Sequence, residues 1–183
     1  MLDQVAIRPL LTSEGLTTER LHLRPLTPAD APRLAELAND FEVVKMTGGM
    51  PYPYGLADAE TFIRRATDAD PDREVHFAVE LVGEGPVGCV GFYPHDAPGP
   101  ELGYWLGQPF WGRGIATEML AAIMDWARDG WGRRCVVACH QQDNIASGAV
   151  LIKAGFLYTG RMGPWPCRSR GLDVPTRWMV WLA

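Results

Sequence analysis

Two periodicities divide the chain. Thr18-Glu-Arg-Leu-His-Leu-Arg-Pro-Leu26 alternates apolar with polar positions, the two-residue period of a half-buried strand. Thr27-Pro-Ala-Asp30 then carries helix-start chemistry, with Thr27 or Asp30 near the cap. Ala31, Leu34, Leu37 and Ala38 follow at helical spacing, so a helix is predicted to about Asn39. Pro51-Tyr-Pro-Tyr-Gly55 reads as a loop. A second helix is predicted over residues 57–66, with Ala59, Phe62, Ile63 and Ala66 as its apolar stripe.

The middle of the chain changes to the strand period. Strands are predicted over 75–81, 87–93 and 101–106, with a hairpin turn at Gly83-Glu-Gly-Pro86. A helix over 115–128 presents Ile115, Met119, Ala122, Ile123 and Trp126 on one face and stops at Gly130. A strand over 134–140, a short helix over 144–154 ended by Gly155, and strands over 156–160 and 176–182 complete the pattern. A proline- and arginine-rich loop separates the last two strands. The order β-α-α-β-β-β-α-β-α-β-β is an α+β layout: one mixed sheet of about seven strands with about four helices on its faces.

Composition narrows the class. A chain of 183 residues with 47% hydrophobic and 21% charged residues is expected to form a single domain over 1–183 with a sizeable core. A net charge of −5 argues against nucleic acid as the main partner. No apolar run is long enough to span a membrane, and the N-terminus lacks a signal-peptide core, so a cytoplasmic location is the default expectation. Cys135 and Cys139 share a strand face about 13 Å apart, too far for one metal ion. Cys89 and Cys167 stand alone, and no histidine pair has ligand spacing, so no metal is assigned.

The chemistry concentrates in Glu101-Leu-Gly-Tyr-Trp-Leu-Gly-Gln-Pro-Phe-Trp-Gly-Arg-Gly-Ile-Ala-Thr-Glu118. This is a strand, a glycine turn and a helix start. Helix-start N–H groups lack intrahelical partners and sit at the positive end of the helix dipole, which suits a phosphate or pyrophosphate. Gly112 and Gly114 let the main chain approach a ligand closely. A Walker loop would need Gly-Lys-Ser/Thr, but Ile115 and Ala116 follow Gly114. A dinucleotide fingerprint would need a third glycine and an acid about 20 residues on, where Arg133, Arg134 and Cys135 stand. A nucleotide-dependent oxidoreductase is therefore a weak competitor.

With these motifs in order, the chain resembles the GNAT N-acetyltransferase superfamily, whose signature is Gln/Arg-x-x-Gly-x-Gly/Ala after a strand. Trp111-Gly-Arg-Gly114-Ile-Ala116 matches at its glycine and alanine positions and departs from it at Trp111. The opening segment 18–26 with Asp30, and Asn144-Ile-Ala-Ser147 with Lys153-Ala-Gly-Phe156, resemble the RimJ/RimL-like branch of ribosomal-protein N-terminal acetyltransferases. The resemblance implies a mostly antiparallel sheet and acetyl-CoA as donor. Backbone amides of Trp111, Gly112, Arg113, Gly114, Ile115, Ala116 and Thr117 would hold the pyrophosphate, with Arg113 adding a charge. Main-chain groups near Trp105 and Leu106, left unpaired where the strand splays, would meet the pantetheine arm. Asn144 would help bind, and Ser147 would approach the CoA sulfur and donate to the leaving thiolate. The proton-donating Tyr of many members, seven residues after the Asn, is Leu151 here.

Each assignment has a plainer alternative: core packing for Trp105 and Trp111, solvation for Arg113, helix capping for Asn144, and a first-turn position for Ser147. Glu101 is the first candidate for general base, with a solvated strand end as its plainer alternative and with His76, His140, Asp143 or a base acting through water as alternatives for the role. The acceptor groove is expected between residues 42–56 and 161–175, where Tyr52, Tyr54, Trp165, Arg168 and Arg170 could bind a small amine or a protein N-terminus. Those loops could equally be surface or contacts of a homodimer, which the branch makes an expectation. A non-catalytic acyl-CoA-binding domain is the alternative function.

Overall fold

The computed structural model describes residues 15–96 and 99–183. Its strands are β1 Leu16–Thr17, β2 Leu21–Pro25, β3 Val75–Leu81, β4 Gly85–Tyr93, β5 Glu101–Leu106, β6 Cys135–Gln141, β7 Leu157–Cys167 and β8 Leu172–Leu182. Its α-helices are α1 Ala31–Ala38, α2 Phe41–Val44, α3 Leu56–Thr67, α4 Ile115–Asp129 and α5 Ile145–Lys153. One sheet runs in the order β1-β2-β3-β4-β5-β6-β8-β7. Every pairing in it is antiparallel except β5 with β6. No described helix is long and apolar enough to cross a membrane.

Helices cover both faces of the central strands. β3 and β4 are consequently buried almost continuously instead of at alternate positions. One core joins Phe77, Val79, Phe92 and Leu102 to Met119, Ile123 and Trp126 of α4 and Leu151 of α5. Trp126 stacks on Trp131 at 5.6 Å between ring centres. The second core, on the opposite face, packs Ala78 and Cys89 against Leu34 and Ala38 of α1 and Ala59 and Ile63 of α3. Arg24 on β2 binds the Asp30 carboxylate through both Nη atoms, at 2.9 and 2.7 Å. Burial pushes the Asp30 carboxyl up, but the bonds from Arg24 and the Thr27 main chain outweigh it and hold it below its ordinary range. The charged positions of the opening motif are thus ties between β2 and the start of α1.

Three differences from the sequence reading have physical causes. The predicted first helix begins with a 3₁₀ turn, Pro28–Asp30, before α1. The four-residue helix α2 forms behind Asp40, whose carboxylate accepts from the Glu42 amide at 2.8 Å. The predicted loop 161–175 is mostly a hairpin, leaving only 168–171 as a turn. Its prolines had argued against strand. Here Pro164 and Pro166 lie on β7, an edge strand with one side unpaired, and Pro164 faces Pro175 across the pair, so the missing N–H groups are tolerated.

Candidate active site

The parallel contact between β5 and β6 is the site's origin. It consists of Glu101↔Val137 and Leu102↔Ala138 only, whereas the other edge of β5 pairs with β4 along its whole length. The Gly107 amide donates to the Val87 carbonyl at 2.9 Å. Leu106 and Gly88 are therefore a non-hydrogen-bonded pair, and the amide and carbonyl of Leu106, like those of Tyr104, turn toward β6, which no longer pairs there. Of the two residues expected to present main chain to this gap, Leu106 does. Trp105 does not, because strand alternation turns its main chain to Cys89 of β4. A groove of about 1300 Å³ runs through the gap, lined by β5, β6, α3, the turn before α4 and the first turn of α5.

At one end, Gly112 and Gly114 hold φ of 71° and 76°, in the left-handed region that favours glycine. Gly114 caps α4 without a side-chain hydrogen bond, so no capping side chain occupies the helix's first amides. Trp111, Gly112, Gly114, Ile115, Ala116 and Thr117 line the groove. The Trp111 indole N–H donates to the Leu106 carbonyl at 2.8 Å and pins the turn to the strand. Arg113 does not line the groove; its guanidinium pairs with Glu84 at 3.1 Å and lies over the Phe110 ring.

A cation that the sequence reading passed over stands nearby. Arg20 donates to the Arg113 carbonyl at 3.0 Å and pairs with Glu118 at 2.7 Å. The Arg20 amide and the Thr18 hydroxyl also donate to Glu118. Partial burial pushes the Glu118 carboxyl up, but these bonds prevail and hold it below its usual range. The Thr-Glu-Arg opening and the Gly-Arg-Gly-Ile-Ala-Thr-Glu turn therefore form one structure, and their joint occurrence was the available signal.

Farther along the groove, Asn144 caps α5, its Oδ1 accepting from the Ser147 amide at 3.1 Å. The Ser147 hydroxyl lies 2.9 Å from the Tyr104 hydroxyl. Burial pushes the Tyr104 phenol up to about 12, and its bond to Ser147 offsets only part of that. The phenol is therefore neutral near pH 7. When it donates to Ser147 Oγ, the serine proton is free to point elsewhere. Tyr104 was missed because nothing in a strand sequence marks which tyrosine meets a helix start 43 residues later. Leu151, where the resemblance would place a tyrosine, is 1% exposed and belongs to the core.

Glu101 lies on the opposite face of the sheet. Its carboxylate accepts from Cys139 Sγ at 3.3 Å and stands 3.9 Å from His95 Nε2. Burial and the adjacent Glu101 charge raise the Cys139 thiol, so it remains a protonated donor. The other base candidates are engaged. His76 Nε2 meets Glu74 at 2.7 Å, and burial lowers its imidazole despite that carboxylate. His140 bridges the Gln141 carbonyl and the Tyr158 hydroxyl. Asp143 pairs with Arg170 at 2.8 Å. Tyr54, Trp165 and Arg168 line the groove, while Tyr52 and Arg170 do not. Tyr52 packs edge-on against Phe41, and Arg170 also donates to the Lys45 carbonyl. Segments 44–48 and 167–170 are laced together by Arg168 N to Gly48 O and Ser169 Oγ to Val44 O, forming a roof over this end. Among the described residues, no group of three or more metal-ligating side chains occurs.

Comparison with known proteins gives this geometry a family. The chain is 27% identical over 166 residues to an uncharacterized N-acetyltransferase, p20, of Bacillus licheniformis, covering 88% of this chain and 93% of that protein. A 61-residue stretch is 38% identical to the ribosomal-protein-serine acetyltransferase of Escherichia coli strain K12, covering 33% and 34%. In fold it is similar to the crystal structure of the microcin C7 self-immunity acetyltransferase MccE in complex with acetyl-CoA and AMP. The TM-score is 0.80 at 21% identity, covering 98% and 99% of the two chains. Residues 20–157 match the acetyltransferase (GNAT) domain family, and the chain belongs to that family.

Proposed function

We propose that the chain transfers an acetyl group from acetyl-CoA directly to a primary amine, with the donor on the α4–α5 side of the β5–β6 gap and the acceptor on the Glu101 side. The observation that carries this reading is the Tyr104–Ser147 hydroxyl pair, 2.9 Å apart beside an opening in the sheet that leads to an uncapped helix start. The residues present fit the donor. The turn 111–117 offers amides to a pyrophosphate, and the Leu106 amide and the Tyr104 main chain offer partners to a pantetheine arm, the Leu106 carbonyl being held by the Trp111 indole. Acetyl-CoA supplies the activated thioester.

Each residue then has a separable task. Glu101, directly or through water, takes the proton that the amine gives up as its nitrogen bonds to the carbonyl carbon. As the carbon–sulfur bond breaks, the Ser147 hydroxyl donates a hydrogen bond to the departing thiolate, keeping its own proton, and the thiolate takes its proton from solvent. Tyr104 donates to Ser147 Oγ and so orients that hydroxyl; it is a positioning residue. The acceptor is a small amine or a protein N-terminus, and the Escherichia coli relative makes an N-terminal serine a natural first probe. The test is thiol release from acetyl-CoA with a hexapeptide beginning in serine and with putrescine. Release that depends on the amine is expected. Saturable acetyl-CoA binding without release for any amine would replace this reading with a non-catalytic acyl-CoA-binding domain.

A further inference from the structure

Gln141 takes no part in the chemistry above, and its side chain is incomplete in an informative way. It is the last residue of β6 and is 5% exposed. Its Nε2 donates to the Thr47 carbonyl at 3.3 Å. Its Oε1 is buried and has no hydrogen-bond partner among the described residues. Reversing the amide would set carbonyl against carbonyl at Thr47, so the network itself assigns Oε1 away from the roof. Leaving such a group unpaired is costly, which makes it a place to look for a ligand.

The place is specific. Gln141 lines the groove. On β6 it shares a face with Cys139, whose thiol meets Glu101. Its Thr47 bond ties it to the roof segment 44–48. This is the Glu101 side of the sheet, away from the Tyr104–Ser147 pair. A carbonyl oxygen can only accept, so its ligand must donate.

Resting on the transferase reading, we infer that Gln141 binds the acceptor substrate: its Oε1 accepts a hydrogen bond from an N–H of the incoming primary amine. A neutral primary amine has two N–H bonds and one lone pair. One N–H held by Gln141 leaves the other for the Glu101 side and the lone pair for the thioester carbon. The pantetheine amides are the other source of N–H donors, and they have the main chain of β5 as partner.

The experiment compares the wild-type chain with Gln141→Met and Gln141→Glu. Rates are measured with acetyl-CoA and either the serine hexapeptide or putrescine, and CoA affinity by calorimetry. Gln141→Met removes the acceptor oxygen and should raise the KM for the amine about tenfold or more, with the CoA Kd unchanged. Gln141→Glu, buried against the Thr47 carbonyl, is expected to stay protonated, so its O–H replaces the bond to Thr47 and its carbonyl oxygen remains an acceptor; the amine KM should stay near the wild-type value. A weakened CoA Kd would assign the carbonyl to the pantetheine arm and overturn the inference. So would an unchanged amine KM in Gln141→Met, or equal losses in both variants. Absence of turnover by the wild-type chain with every amine would sink the transferase reading as well, whereas an active wild type with an indifferent Gln141→Met sinks this inference alone.

Discussion

The two sides of the β5–β6 gap are built by different means. On the α4–α5 side, the candidate site is made of main chain and helix starts: positive-φ glycines, the first amides of α4, and a serine fixed by the cap of α5. On the Glu101 side it rests on side chains gathered from distant segments and a roof laced by bonds between 44–48 and 167–170. The first kind of site can be retained wherever its local turn chemistry is retained. The second can be altered one side chain at a time, as acceptor choice requires. Variants on the first side should therefore change kcat or CoA affinity, and variants on the second should change the amine KM.

The largest effect is expected at Ser147. Ser147→Ala removes the donor to the thiolate and should lower kcat by about 100-fold, with the CoA Kd from calorimetry unchanged. Equal kcat in the variant would mean the thiolate leaves unaided. Gly114→Val forces a β-branched residue to φ 76° and should weaken CoA binding about tenfold, read in the same titration. Tyr104→Phe keeps the ring packing and loses only the hydroxyl. A fall in kcat of about tenfold with both KM values unchanged is expected if the phenol orients Ser147. On the other side, Arg170→Ala cuts the ties to Lys45 and Asp143 and should raise the amine KM roughly threefold while leaving the CoA Kd alone, since exposed ion pairs contribute little.

The smallest expected effect is on stability against pH. Burial holds the His76 imidazole below its ordinary 6.5. Just under that pH the unfolded chain takes up a proton that the folded chain does not. The stability supplied by neutral His76 is therefore complete above about 6.5 and declines as pH falls toward the lower folded value. The wild-type thermal midpoint should drop across that window, and His76→Gln should drop less. A steeper fall in the variant would contradict this assignment.

The same division explains what the sequence disclosed. The glycine turn, the Asn144 cap and the placement of Ser147 at a helix start follow from short-range rules, so the residues announce them. Tyr104 was not legible in this way, because its partner lies 43 residues away. Neither was the Arg20 clamp, whose contacts span 93 and 98 residues. Gln141 shows nothing unusual as a residue type; what singles it out is a buried oxygen with no partner among the described residues. The hairpin β7–β8 was misread because proline is a strand breaker only where both strand edges are used, and β7 uses one. The pairing of Arg113 with Glu84 had no sequence signal either, since the two stand 29 residues apart.

In the proposed complex the β5–β6 gap carries the donor, with its sulfur at Ser147. A crystal structure of the complex with CoA tests this most directly. The pantetheine arm should run alongside Tyr104 and Leu106, with the sulfur within about 3.5 Å of Ser147 Oγ, the reach of a hydrogen bond to sulfur. A CoA molecule whose arm bypasses the gap, or whose sulfur emerges away from the Tyr104–Ser147 pair, would contradict it.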